Sequence, residues 1–399
     1  KSLENCAPCA LHSMRMKALR NLLIVLGSIV ALSFVTGYDY IWSGMQETYF
    51  RGWKNSNIDD MGYRALRTIE APAQAQPWPE RMKPIDALPA SDRQWLAEGL
   101  TASFLVIHRD TIRYEQYWQG HNASTRTNSF SMAKSITALA VGLAADRGLL
   151  DIQAEVGEYL PRFQGAAGRG VTVEHLLQMR SHIPFGENYK NPFAFMAKAY
   201  YRDDVRSLVH PFLPATSPGK EWKYQGGNTM LLEEILAKVS PDGMTLSDWV
   251  EDGLWQPMGA ASDAFWGIDE ETGAERCFAQ FYATSRDFAR FGKLMLDGGA
   301  WGDQQLVSRG YIRRMMTPIA DLTDDCNARH YGYQTWLGTT TDGLAFSCFE
   351  GHRGQFVLSI PALDLVVVRT GYERRAEKRG HLPESAFRCI ELGRLVAAF

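Results

Sequence analysis

Two pairs of short, strongly apolar runs bracket this chain, and they restrict its fold more than any other feature. SFLVIHRD and TIRYEQYW meet at an Arg109-Asp110 turn, and QFVLSIP and LDLVVVRTG meet at Pro361-Ala362. Runs this short, rich in β-branched and aromatic residues and separated by turn formers, predict two β-hairpins. Between them, from Asp151 to about Ala320, the chain reads as helices and loops. Helices are expected over Ser91–Leu100 with Ser91 as N-cap, over Ser131–Leu150 with Gly148 marking the end, and from about Glu384 to Phe399. Strands contributed by both chain ends, with helices between, imply an α+β fold. One antiparallel sheet built from both ends is flanked by helices and carries an inserted helical lobe, with a cleft where the lobes meet.

A second constraint lies near the N-terminus. Residues 21–37 read NLLIVLGSIVALSFVTG without a charge; Arg15, Lys17 and Arg20 precede them, and Tyr38, Tyr40 and Trp42 follow. About 20 apolar residues span a bilayer, and the basic flank stays on the cytoplasmic side. No A-x-A-like cleavage site follows the run. Residues 21–37 are therefore expected to be a transmembrane signal anchor in the inner membrane, with the remainder periplasmic or extracytoplasmic. Residues 1–20 are read as a cytoplasmic or extraneous segment, Met14 or Met16 being a more natural start than Lys1. Residues 38–90, which include APAQAQPWP, are read as a tether or wrapping arm, and residues 91–399 as the main domain.

Several function classes fall away. With 42 Lys and Arg against 45 Asp and Glu, the net charge of −3 provides no electrostatic footprint for nucleic acid. Neither H-E-x-x-H, a Walker loop nor C-x-x-C zinc spacing is present in the main domain, so no metal and no cofactor is expected. G-x-S-x-G is missing too, which argues against an α/β-hydrolase. Cys277, Cys326, Cys348 and Cys389 could form disulfides in an exported protein, but sequence alone does not pair them. Oligomeric state is equally open.

Three elements can carry chemistry. In Ser131-Met132-Ala133-Lys134, serine and lysine share one helix face. Lys134 is the only charge from Ser131 through Ala145, and a helix so apolar all round is buried. Burial disfavours the ammonium form, which makes a lysine a usable base beside a nucleophile. The competing reading is a capping serine with a snorkelling lysine. Next, Tyr224 lies in KYQGGNT, a Gly-rich loop before a helix, where a nearby lysine could lower the phenol pKa for proton shuttling. Third, His352-Arg353-Gly354-Gln355 enters a strand, with Gly354 allowing close approach of a ligand.

In this order, SMAK, YQGGN and HRG resemble the Ser-x-x-Lys, Tyr-loop and Lys-Thr-Gly set of the penicillin-recognising serine hydrolases. The spacing is 93 residues from Ser131 to Tyr224 and 128 from Tyr224 to His352. KYQGGNT, GHRGQ, ATSRDFARFGKLMLDGG and MRSHIPFGENY are most similar to the 6-aminohexanoate-dimer hydrolase and esterase branch. The resemblance covers about Ser91 to Phe399. It implies a β-lactamase/transpeptidase-like domain acting by acyl transfer on a small amide or ester: a linear amide, a short ester or a D-amino-acid peptide. Ser131 would be the nucleophile, Lys134 the base and Tyr224 the acid toward the leaving group. Backbone N–H groups of Ser131 and Gln355 would form the oxyanion hole, with His352, Gly354, Asn228 and Tyr189 as substrate contacts. Gly226 stands where class C β-lactamases carry Asn, and His352 where they carry Lys, which argues against efficient penicillin hydrolysis. A tethered penicillin-binding sensor or peptidoglycan-binding module that acylates without turnover, or a true β-lactamase, remain the alternatives.

Overall fold

The computed structural model describes residues 7–319 and 330–397; Cys326 lies outside the described residues. The chain divides into two compact units, Lys1–Asn55 and Ser56–Phe399. In the first, the Ala7–Val35 helix contains a Met14–Val35 stretch of mean hydropathy 2.1. Its leucines and isoleucines face outward, so by length and composition it fits a membrane anchor or a signal sequence. A short helix, Tyr40–Glu47, follows.

The second unit is built on a six-stranded antiparallel sheet. Its order is Thr111–Tyr117, Thr101–His108, Leu365–Gly371, Gln355–Ile360, Ala345–Gly351, Trp336–Thr339. The two expected hairpins are present, and Leu365↔His108 through Val368↔Leu105 zip one to the other at the centre. Alternate residues divide between two cores. Phe104, Val106, Leu358 and Val367 join Ile390 of the Glu384–Ala397 helix, while Leu105, Ile107, Val357 and Val366 join Phe288 and Phe291 of the Ser285–Leu296 helix. Burial on both faces explains why these strands read as near-continuous apolar runs. Each helix touches the sheet at a glycine: a Cβ on Gly292 would lie 2.5 Å from Val366, and one on Gly393 2.4 Å from Val367.

Three expectations are corrected in detail. The middle of the chain holds strands as well as helices: Ala264–Gly267 and Phe281–Ala283 form a second sheet with Leu66–Ile69 and Thr127–Asn128. Strands of two to four residues are too short for a period-2 pattern to register. The first helix of the main domain runs Ala90–Glu98, with Pro89 at the N-cap position and Ser91 inside the first turn. The next helix begins at Met132 and ends at Asp146, with Gly148 at φ +70° just beyond. Cys277, Cys348 and Cys389 are buried free thiols.

Residues 56–90 pack into the second unit. Leu66–Ile69 pairs with Ala264–Gly267, and Ile58, Ile69, Trp78 and Leu88 are buried. Arg290 and Trp301 bond the backbone and side chain of Gln76. Each buried apolar side chain contributes roughly 1.5–3 kcal/mol, against a typical total stability of about 5–15 kcal/mol. A chain starting at Ser56 is therefore expected to melt cooperatively by circular dichroism. One starting at Ser91 should lose at least about 10 °C of Tm or fail to fold; equal melting of the two would show that the segment adds nothing.

Candidate active site

Ser131 sits where a tightly held strand turns into a helix. Thr127–Asn128 pairs with Phe281–Ala283, and the Ser129 N–H donates to the Phe281 carbonyl. The Asn128 side chain accepts from the Phe130 N–H at 2.8 Å and donates to Asp60 and to the Tyr200 hydroxyl, both at 2.9 Å. Asp60 also accepts from Tyr200 and Tyr282; burial raises its pKa to about 6 despite these donors. This clamp holds Phe130 at φ +46°, a conformation costing on the order of 1–3 kcal/mol, and delivers Ser131 to the start of the Met132–Asp146 helix.

At that position the Ser131 hydroxyl makes no capping bond. It accepts instead from Lys134 Nζ at 3.0 Å, so the serine is a partner of the lysine and the capping reading falls. Lys134 is 1% exposed; its second bond runs to the Phe278 carbonyl at 3.1 Å. The ammonium nitrogen lies 5.0 Å from the Tyr224 ring centroid and 5.7 Å from that of Phe278. Burial lowers its pKa to about 8, opposed by the negative charge of Glu187.

Tyr224 stacks on Trp336, with ring centroids 5.5 Å apart. Its pKa moves in the direction opposite to the sequence expectation: burial, reinforced by Glu187, raises it well above the ordinary tyrosine range. The phenol is therefore a neutral donor at neutral pH. Gln334 holds the two halves of the site in register. Its carbonyl accepts from Ser135 on the serine-bearing helix, and its side chain accepts from Thr229 on the Gly226–Val239 helix that follows Tyr224.

His352, Arg353 and Gly354 form a turn on the other wall. His352 meets the Phe130 ring edge-on at 5.6 Å and stacks beneath the half-exposed Tyr189 at 6.1 Å. Desolvation, with the Arg353 and Arg374 guanidiniums nearby, lowers its pKa below the ordinary imidazole value, although the residue is exposed. A neutral imidazole is no substitute for an ammonium.

The remaining expected residues divide. The Gln355 side chain is buried and bonds the carbonyls of His352 and Gly371, so only its backbone is available to a substrate. The Asn228 amide is fully buried and bonds to Ser181, Met179 and Gln225. Arg353 donates to the carbonyls of Ser56 and Tyr372.

One acidic residue went unread in the sequence. Glu187 accepts from the Gly226 N–H at 2.7 Å and from the Tyr189 hydroxyl, and its charge couples to Lys134. Burial raises its pKa. The available signal was its position as the sole acid in MRSHIPFGENY. Trp336 and the Phe278 carbonyl had no such marker.

A serine hydroxyl, a buried lysine of lowered pKa and a neutral phenol now stand together. The β-lactamase family profile matches residues 93–371, more than half of the chain. The chain belongs to the β-lactamase family. One curated relative that it matches is a hydrolase by name. The chain is 29% identical over 234 residues to this relative, the 6-aminohexanoate-dimer hydrolase of Paenarthrobacter ureafaciens, covering 56% of this chain and 59% of that one. The match thus spans less than two thirds of that hydrolase. In fold, it is similar to a Bacillus anthracis protein assigned as a 6-aminohexanoate-dimer hydrolase (TM-score 0.71, 18% identity, 91% of this chain and 95% of that one). It is also similar to a family VIII carboxylesterase (TM-score 0.60, 17% identity, 83% and 100%).

The electrostatics of this β-lactamase-like cleft can be read directly. In ¹³C-lysine NMR, Lys134 is expected to titrate near pH 8. Glu187→Gln removes a negative charge that favours the ammonium, so the midpoint should move lower. An upward shift would mean that Glu187 is uncharged and couples in another way.

Proposed function

We propose that the chain hydrolyses a small linear amide or ester through an acyl-enzyme on Ser131. The observation that carries this reading is the 3.0 Å contact between Ser131 Oγ and the buried Lys134 amine. With its pKa lowered to about 8, a useful fraction of Lys134 is neutral near pH 7–8 and can take the serine proton as Oγ attacks the carbonyl carbon. The C–O bond to Ser131 forms, and the bond to the leaving amine or alkoxide breaks. Tyr224, protonated by virtue of its raised pKa, donates the proton that the leaving group needs. Water then attacks the acyl carbon and passes a proton to the Tyr224 oxygen, the acyl–Oγ bond breaks as Lys134 returns its proton to Ser131, and the acid leaves. Backbone N–H groups of Ser131 and Gln355 hold the oxyanion; one such donor contributes about 3–4 kcal/mol.

Linear substrates are favoured over penicillins. Gly226 supplies no side-chain amide and His352 no charge, and the two groups that could compensate, Asn228 and Arg353, are committed to inward bonds. Each missing hydrogen bond is worth about 1–3 kcal/mol, so roughly two to four decades of relative specificity are at stake. The name of the Paenarthrobacter relative supports a linear amide as one substrate class.

For localisation, we read the Met14–Val35 helix as a signal anchor that keeps the catalytic unit outside the cytoplasm. The basic residues Arg15, Lys17 and Arg20 lie toward its N-terminal side, as the positive-inside rule requires. Protease added to intact spheroplasts should digest the catalytic unit; protection until lysis would reverse the orientation.

The decisive experiment compares kcat/KM for a short p-nitrophenyl ester, a linear amide and nitrocefin. The ester should turn over continuously, with kcat/KM rising as pH passes through about 8 while Lys134 loses its proton. Ser131→Ala should lose on the order of 10⁴–10⁶ of kcat with little change in Tm, because the hydroxyl caps nothing. A single burst equivalent would indicate a sensor, and a higher kcat/KM for nitrocefin a true β-lactamase. Turnover by Ser131→Ala would overturn the serine mechanism.

A further inference from the structure

Arg369 is a buried cation outside the groups used so far. It lies on the central strand Leu365–Gly371 and is 4% exposed. Buried guanidiniums are ordinarily paired with carboxylates. The hydrogen bonds of Arg369 go elsewhere: to the carbonyls of Gly354 (2.7 Å), Arg353 (3.0 Å), Gly99 (2.6 Å) and Glu373 (2.9 Å), and to the Thr101 hydroxyl (3.3 Å). Burial lowers its pKa to about 10, so it remains charged at neutral pH. The chain leaves room for it at two glycines. A Cβ on Gly354 would lie 2.5 Å from Nη1 and one on Gly371 2.6 Å from Nη2, and Gly354 also stands at φ +81°. That combination admits no other residue at 354 without a shift.

Two of the four bonded carbonyls, those of Arg353 and Gly354, belong to the turn that meets the nucleophile segment. The Phe130 ring packs edge-on against His352, and a Cβ on Gly351 would fall 2.1 Å from the Ser129 carbonyl. All three carbonyls of the turn are held from the side: His352 by the Gln355 amide, and Arg353 and Gly354 by the same Arg369 nitrogen. A trans peptide is planar, with its C=O and N–H pointing in opposite directions. Fixing the Gly354 oxygen on Arg369 therefore fixes the direction of the Gln355 N–H on the other side of that peptide.

We infer that Arg369 is a positioning residue for acyl transfer, which pre-aims the Gln355 N–H at the oxyanion by binding the carbonyls of Arg353 and Gly354. This rests on the acyl-enzyme reading above. The guanidinium does so through a rigid planar fork that reaches Gly99 and Gly354 together; a lysine offers one point charge on a flexible stem. The cation never touches substrate and acts through a single peptide plane.

The test uses Arg369→Lys and Arg369→Met in the full chain, with Ser131→Ala alongside. Removing an oxyanion donor costs about 10²–10³ in rate. Both Arg369 variants are expected to lose about that factor in kcat/KM for a p-nitrophenyl ester, with KM little changed and the pH midpoint of the wild type retained. Phenylboronic acid places an oxygen in the oxyanion position when it adds to a serine, so its Ki should rise by a similar factor. A merely structural role would move Tm and the titratable fraction of active enzyme, and would leave the boronate affinity of that active fraction unchanged. Rates within about threefold of wild type, a lowered rate with unchanged boronate affinity, or failure of both variants to fold would each overturn the inference. If Ser131→Ala is inactive while the Arg369 variants keep their rates, this inference alone has failed. Turnover by Ser131→Ala would instead remove the reading beneath it.

Discussion

The structure turns on placing one ammonium group out of water. Lys134 is the only charged residue from Ser131 through Ala145 and is buried, and an isolated ammonium in such a setting is strongly disfavoured. The fold offsets this with a small set of polar contacts: the Ser131 hydroxyl, the Phe278 carbonyl, the faces of Tyr224 and Phe278, and the more distant charge of Glu187. The compensation is incomplete, which is why the pKa falls to about 8 and no further. A fully compensated lysine would stay charged and could not accept a proton. An uncompensated one would be too weak a base to take one.

The contacts on Lys134 come from chain segments far apart in sequence, so the site exists only once both sheets and the intervening helices have docked. Phe278 precedes the Phe281–Ala283 strand, Tyr224 precedes the Gly226–Val239 helix, and Glu187 lies in the loop before the Phe195–Tyr201 helix. Gln334 and the Asp60–Asn128 clamp then fix the relative positions to within a hydrogen-bond length. The polar groups next to the cleft are mostly held by other protein groups before any substrate arrives. Such preorganisation is what makes electrostatic stabilisation effective in acyl transfer, since no dipole needs to turn during the reaction.

The chain belongs to the β-lactamase family. On the proposed acyl-enzyme reading, Ser131, Lys134 and Tyr224 are its charge-transfer groups, and the groups around them are the altered ones. Gly226 supplies no side-chain amide and His352 no permanent charge on that reading; Tyr189 stacks on His352, and Glu187 accepts from the Gly226 N–H. On that reading the three side chains would do the bond-making chemistry that any acyl donor requires. The other two would meet parts of a substrate that differ between a fused ring and a linear chain.

Much of this was legible in the sequence because it depends on local pattern. The two hairpins follow from short β-branched runs and their turns, the buried helix from a run, Ser131 through Ala145, in which Lys134 is the only charge, and the membrane-length helix from uninterrupted hydropathy. The Ser131–Lys134 contact follows from helical spacing alone, because residues three apart share a face. Tertiary structure decided what pattern cannot encode. The short strands of the second sheet are defined by partners and not by periodicity. The direction of the Tyr224 pKa depends on burial and on Glu187, residues away in sequence but adjacent in space, and local reading assigned it the wrong sign. Asn228 and Gln355, polar in sequence and plausible as substrate contacts, have side chains committed inside the protein. Sequence determines which groups are present and which share a local face; desolvation and hydrogen-bond partnership are properties of the assembled interior, and they decide which of those groups can react.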